Sequence, residues 1–540
     1  MKRMLAAAAF MIMSSTVAGT SWAQATNSNQ LSDPRVRQAI AYAVDMDTII
    51  KTLFASKAVK AVGLLPNGPF KSPDLNPYAF NPDKARKLLA DAGWDKNREL
   101  DLVYYYDDQL TVDFLTAVQA YLADVGIKIK FRLLTGDTNA ALLPVPKDPV
   151  NGPSAVTWDL GYGAKAALAL QEYYNGMKTG NSAHTPGSKE LDKLIEGINA
   201  TADVEKQKEA FFAIEKYANE KLDTIPLYYQ QLYVYESDRL NRNGHSYGND
   251  QYNYDWGLVD WTVSPEKNGE KVLYTNTAPE EFFELPWYQL GINITNKAAF
   301  DRILVADGTL TKFKGQLAES FKVSEDGMTV SFTLRDGLKW HDGSPLTADD
   351  VVWSIVTAIR TPGVNSTVAN TVASIAGAAD VAAGKAQQVS GISVDGRTIT
   401  LKFATLDPNV LLSLSQFAPL PKKHLEKVDP ATIQQNAFWQ RPVGSGPYKI
   451  ADVKMNSFTT FVPFEGYYGG KAKIDKIVAF PSGDGDGNVV KNAAARKLDY
   501  GFTKNTADVG ALEAMPFMKL TAENIPYTRL LWINHYPRAK

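Results

Sequence analysis

Not one of the 540 residues is cysteine, yet the first 23 read as an export signal. Lys2 and Arg3 supply the charged start, and Met4 to Met13 a short apolar run. Ser21-Trp22-Ala23 offers a small-residue site, so cleavage is expected near Ala23 and the mature chain in the periplasm. The apolar run is shorter than the ~20 residues a membrane span needs, so no stable membrane insertion is expected. An exported chain without cysteine has neither disulfides nor a thiol for a lipid tether. Its stability has to come from buried apolar surface. At this length a single core is not enough, and two or more lobes are expected. Loss of Lys2 and Arg3 moves the formal charge from −2 to −4, which makes nucleic acid an unsuitable partner.

Helix and strand signals alternate along the chain, which predicts an α/β architecture. Asp33-Pro34 is a helix start, with an Asp N-cap and a proline at the first helical position; Val36, Ile40, Ala43 and Val44 follow at helical spacing. Asn81-Pro82-Asp83 repeats the device and stops at Gly93. Thr347 to Asp350 predicts a capped start for the run through Val351 and Ile355. The other period governs Val330, Phe332 and Leu334, and again Ile399, Leu401 and Phe403 after an Asp395-Gly396 turn.

A first block runs from residue 31 to about 235 and ends in Asp223-Thr-Ile-Pro226-Leu-Tyr-Tyr229 and a polar stretch through Asn249 and Asp250. Ser264-Pro-Glu-Lys-Asn-Gly-Glu270 then has a linker's composition. After it, Lys271-Val-Leu-Tyr-Thr-Asn276 reads as the fresh first strand of a domain, placed in mid-chain.

Catalytic motifs are missing. The five histidines (184, 245, 341, 424 and 535) fall in no HExxH or paired metal spacing, and no Gly-x-Ser-x-Gly elbow occurs. The glycines around 444 to 446, near His341 in character, lack the Gly-Lys-Ser/Thr ending of a phosphate loop. Neither an enzyme nor a cofactor or metal site is expected.

Two blocks of motifs resemble the family 5 (peptide/nickel type) extracytoplasmic solute-binding proteins. Leu317-Ala-Glu-Ser-Phe321, Gly337-Leu-Lys-Trp340-His341-Asp342-Gly343, Leu346-Thr-Ala-Asp349-Asp350-Val351 and Pro442-Val-Gly444-Ser-Gly446-Pro447-Tyr448 resemble the family's N-terminal half. The Arg35-to-Asp45 helix, Asp83-Lys-Ala85 through Gly93, Val125-Gly126-Ile127 and Ile225-Pro226-Leu227 resemble its C-terminal half. The halves stand in exchanged order, and Tyr527 to Lys540 reads directly into Leu31 to Asp45, so the chain resembles a circular permutant.

The resemblance implies a type II periplasmic-binding-protein fold, circularly permuted: a second lobe over 24–235 and a first lobe with its extra subdomain over 236–540, behind the 1–23 signal. It also implies a monomer that closes on a small-molecule solute and delivers it to ABC permease transmembrane subunits. With the seam between Lys540 and Leu31, one covalent crossover is expected, near Leu227 to Arg239, and Leu31 and Lys540 should lie close together at the hinge. A ligand-presenting chemosensory protein would carry the same motifs.

Peptide-binding members carry an acidic anchor for the ligand's α-ammonium. The matching stretch, Thr157-Trp158-Asp159-Leu-Gly161-Tyr162-Gly163-Ala-Lys165, continues in alanines instead. Asp159 reads as a structural residue at a strand end. A buried ammonium without a carboxylate is costly, so an oligosaccharide or other polar neutral solute is expected ahead of an oligopeptide. Aromatic walls with a few polar groups suit such a ligand. The expected ligand-binding residues are Trp158, Tyr162, Glu281, Phe282, Trp287, Gln416, Phe417 and Trp439, with Glu280 a further polar candidate; core packing is the competing role for each aromatic.

Overall fold

A computed structural model describes residues 29–245, 257–276, 283–288, 294–481 and 487–538. The expected signal, its cleavage point near Ala23, and Asn249, Asp250, Glu280, Glu281, Phe282 and Lys540 lie outside the described residues.

The local signals mature as their chemistry dictates. Asp33 accepts a hydrogen bond from Arg35 N at 2.8 Å and starts α1 (Pro34–Ala43), which buries Val36 and Ile40. Helix α2 (Met46–Thr52) follows at once behind an Asp45 cap. The reciprocal capping box of Thr347 and Asp350 opens the helix Ala348–Arg360. Thr329–Leu334 pairs antiparallel with Thr398–Lys402, which pairs in turn with Ile392–Asp395 across the turn at Gly396, a positive-φ residue.

One sheet of eleven strands organises the molecule. Its members are β1 (Ala58–Lys60), β2 (Glu99–Tyr104), β3 (Lys128–Leu133), β4 (Leu160–Ala166), β5 (Thr224–Ser237) and β6 (Val272–Thr275). Then come β7 (Tyr448–Lys454), β8 (Phe458–Pro463), β9 (Lys476–Ala479), β10 (Tyr500–Thr503) and β11 (Met518–Ile533). Their spatial order is β7-β8-β9-β6-β10-β5-β11-β4-β2-β3, with β1 paired to β5. The expected mid-chain strand is β6, which lies parallel to β9 and β10.

Two large cores flank this sheet. Leu31, Ile40, Phe114, Leu160 and Ile225 belong to one, and Leu273, Trp287, Phe332, Ile355 and Phe461 to the other. Strand β5 passes between them: Ile225 and Leu227 pack in the first core, Leu232 and Val234 in the second. Strand β11 does the same in reverse, with Ile525 in the second core and Leu531 and Ile533 in the first. The single crossover expected near 227–239 is therefore corrected to two, side by side. Residues 527 to 538 are the reason, since β11 has already crossed before the chain ends. At the crossing the register slips between Asn524 and Thr528, opposite Gln231 and Tyr229; Pro526, with no N–H to donate, sits in this bulge.

The two ends of the described chain meet. Asn29 Nδ2 donates to Asn534 O at 2.5 Å and to Tyr536 O at 3.1 Å. The C-terminal end binds Asp159, which is fully buried, and Asn29 is linked to it through Arg98, whose Nη2 donates to Asn29 Oδ1 at 2.8 Å. The Asp159 carboxylate accepts from Asp101 N at 2.9 Å, from Arg98 Nη2 at 3.0 Å and from Arg538 Nε at 3.2 Å. Asp159 is thus a structural tie, in line with its position before a strand. His341 and the 444–446 glycines are structural too. His341 Nδ1 accepts from Gly444 N at 3.2 Å while Nε2 bonds Gly446 O at 2.9 Å. A Cβ on Gly444 or Gly446 would strike the backbone of Ala298 and Ala299.

Candidate functional site

Most of the expected aromatic wall packs inside the cores. Trp287 and Phe417 stack on each other, with ring centroids 5.3 Å apart and planes 9° from parallel. Trp287 Nε1 donates to Ala418 O at 2.8 Å, and Trp439 Nε1 to Ile433 O at 2.8 Å. Trp158 Nε1 donates to Ala141 O at 3.1 Å, in a small cluster with Val103 and Leu142. Gln416 is buried on the helix Val410–Gln416, where its Nε2 donates to Ser415 Oγ at 3.1 Å. Each indole is satisfied by a carbonyl and Phe417 by its stacking on Trp287, so these four aromatic side chains act in packing. Glu281 and Phe282 lie outside the described residues. Of the six that are described, Tyr162 alone reaches the region where the cores meet.

There it joins a ring of tyrosines around a cation. Tyr162 OH and Tyr228 OH share a 2.8 Å hydrogen bond, and Tyr106 OH bridges Tyr105 and Tyr527 at 3.1 Å each. Register puts Arg529 opposite Ala164 on one side and Tyr228 on the other, so Tyr162, Tyr228 and Arg529 share a face of the sheet. The Arg529 guanidinium carbon stands 3.9 Å from the Tyr106 ring centroid and 5.3 Å from that of Tyr527. Its Nε donates to Gln230 Oε1 at 3.1 Å, and Nη1 is shielded from solvent without a partner. Burial works to lower the pKa of Arg529, and only ionised tyrosines, which burial keeps from forming near neutral pH, would raise it. Burial likewise raises Tyr106 and Tyr162, which stay neutral donors.

A cavity of about 60 Å³ opens at this point. Lys57 and Asp108 line it from one side, and Lys504 and Thr506 from the other, beside Tyr162 and Arg529. Asp108 is occupied as the cap of α3 (Gln109–Asp124), accepting from Thr111 N and Thr111 Oγ1 at 2.9 Å each. A larger cavity, about 560 Å³, lies farther along the junction. Leu168, Gln171 and Phe211 face Leu310, Val323 and Leu412 across it. Polar contacts bridge the two sides: Lys57 Nζ to Glu513 Oε1 at 2.5 Å, Ser366 Oγ to Glu172 Oε1 at 2.7 Å, and Gln207 Nε2 to Pro408 O at 3.0 Å. Arg529, Tyr106 and Gln230 carried no motif; what marks them is where two distant strands place them.

A family model described as bacterial extracellular solute-binding proteins, family 5, matches residues 8–150 and 312–539, more than half of the chain. The chain belongs to this family. Family 5 proteins bind solutes and catalyse no reaction, and their two-lobed type II fold agrees with the mixed α/β sheet described above. The chain is similar to a putative ABC transporter peptide-binding protein of Brucella ovis, 29% identical over 180 residues, covering 33% of this chain and 31% of that one. It is also similar to the oligopeptide-binding protein OppA of Lactococcus lactis subsp. cremoris, 28% identical over 185 residues, with 33% and 31% covered. The aligned stretches thus span about a third of these relatives' length. Among solved structures, AppA of Bacillus subtilis in complex with a nonapeptide is 22% identical over 42% of each chain, with a TM-score of 0.34. Among the described residues no helix is long and apolar enough to cross a membrane.

Proposed function

We propose that this family 5 protein is the periplasmic solute-binding component of an ABC importer and that its solute is a peptide. The observation that carries the reading is the pair of unbroken strands, β5 and β11, that join two cores across a junction holding two cavities. Such a connection lets one body swing on the other, with ligand contacts from both sides favouring the closed form. The peptide-binding relatives support the ligand class. The sugar reading loses its support with its wall, since Trp158, Trp287, Phe417 and Trp439 are spent on packing.

The lobes of this proposal are residues 29–228 with 527–538, and the remainder of the described chain. The halves stand in exchanged order relative to the family, and the meeting of Asn29 with Asn534 and Tyr536 supports that seam. Permease transmembrane subunits are the proposed partner, and a monomer the proposed state. Calorimetric titration of the mature protein with tri- to pentapeptides and with oligosaccharides tests the reading. Peptide binding accompanied by a higher Tm is expected, because a ligand of the folded state alone raises its stability. Binding of sugars alone would overturn it.

A further inference from the structure

We infer that Arg529 anchors an anionic group of the captured solute, a carboxylate in the first instance, at the crossing between the two cores. The inference rests on the binding-protein reading and names the chemistry of one end of the ligand.

Among the described residues Arg529 is a cation without a counter-ion: its hydrogen bond runs from Nε to the neutral Gln230 amide, no carboxylate stands within ion-pair distance, and the buried Nη1 is left to donate. A shielded guanidinium in that condition is costly to keep unless something completes it. Arg37 and Arg239 are completed, Arg37 by Asp223 and three carbonyls and Arg239 by Asp499. The fully buried Arg302 also keeps Nε and Nη2 without a partner among the described residues, but it lines neither cavity. What surrounds Arg529 is instead a set of rings, Tyr106, Tyr162 and Tyr527, which position the planar fork without neutralising it.

The neighbouring cavity has room for a group of a few heavy atoms. The charged side chains lining it are Arg529, Lys57, Lys504 and Asp108, and the carboxylate among them is committed to the α3 N-terminus. With Lys57 paired to Glu513, Arg529 and Lys504 face one small space from the two sides of the junction, which suits a single negative charge. A guanidinium fork offers two parallel N–H donors to a carboxylate. The position also has a consequence for capture. Arg529 lies on β11 just past the crossing, while Lys504 and Thr506 come from the opposite core, so an anion seated here touches both bodies and favours their closure.

The test compares wild type with Arg529→Gln and Arg529→Lys, each checked for its fold by circular dichroism. The probes are trialanine and pentaalanine as free acids, their C-terminal amides, and succinate, titrated by calorimetry. The free acids are expected to bind wild type about ten- to a hundredfold more tightly than the amides. Arg529→Gln should abolish that preference, and Arg529→Lys should keep part of it. Equal binding of acids and amides by wild type, or an acid preference that survives Arg529→Gln, would overturn the anchor while leaving the peptide reading standing. Succinate binding that depends on Arg529, with no peptide bound, would uphold the anchor and remove the peptide. Absence of any anion-dependent binding overturns the anchor.

Discussion

Lys57 and Glu513 are 456 positions apart in the chain and meet at 2.5 Å. The lysine lies beside α2 in one core's half and the glutamate in the helix Thr506–Glu513 of the other, so the pair latches the two bodies where the cavity opens.

Breaking this latch should change shape more than stability. Half of the pair is exposed, and an exposed ion pair contributes at most about 1 kcal/mol. Lys57→Ala is therefore expected to lower Tm only slightly, while small-angle scattering shows a larger radius of gyration without ligand. High salt should expand the wild type in the same direction.

Gly163 is held by close packing. A Cβ there would run into the Trp532 ring and meet Tyr105 Cε1 at 3.0 Å. Gly163→Ala should cost about 1–3 kcal/mol, read as a lower urea midpoint with an unchanged m value.

Asp159 ties the chain ends to β2. Its replacement by alanine strands Arg98 and Arg538 and leaves Asp101 N without its acceptor. A loss of about 3 kcal/mol is expected in denaturant titration. Asp159→Asn should fall between wild type and Asp159→Ala.

Acid should loosen the fold through its buried histidines. Burial lowers His184 and His341 from an ordinary 6.5 to about 4 and takes His535 well below that ordinary value. Their folded pKa values lie below the unfolded ones, so the unfolded chain binds more protons as pH falls. The stability they contribute is complete above about 6.5 and is lost as pH drops toward 4. Urea midpoints should decline over that window, and His341→Gln should flatten part of the decline.

The seam can be moved. A chain in which Arg538 is joined to Asn29 by a short Gly/Ser linker and reopened within 264–270 should fold with a Tm close to the parent's. Residues 266 to 270 form a turn there, with Glu266 N donating to Glu270 O at 2.8 Å, and are held to the body by the partly exposed ion pairs Arg239–Glu266 and Lys476–Glu270.

Features carried by a few neighbouring residues were legible in the sequence. The Asp33-Pro34 cap, the Thr347–Asp350 box and the alternation of Val330, Phe332 and Leu334 each stabilise an element through contacts within it or with one adjacent strand. The family motifs were legible for the same reason, since they mark turns and caps. The destination of an aromatic was not. Trp287 and Phe417 find each other across 130 positions, and nothing in either neighbourhood distinguishes a core indole from a cleft one. Nor did any local motif mark Asn524-Ile-Pro526 as a bulge inside a strand that runs from Met518 to Ile533.

The sequence by itself determined the class of molecule: helices and strands in α/β alternation, a cysteine-free core, and the motifs of its family. Tertiary structure alone decided that two strands cross between the cores and that Arg529 stands among tyrosines, with no carboxylate of the described residues in ion-pair reach. Caps and periodicity are settled by energies acting within a few residues. The environment of a charge depends on which distant segments surround it, and folding sets that by packing the whole chain at once.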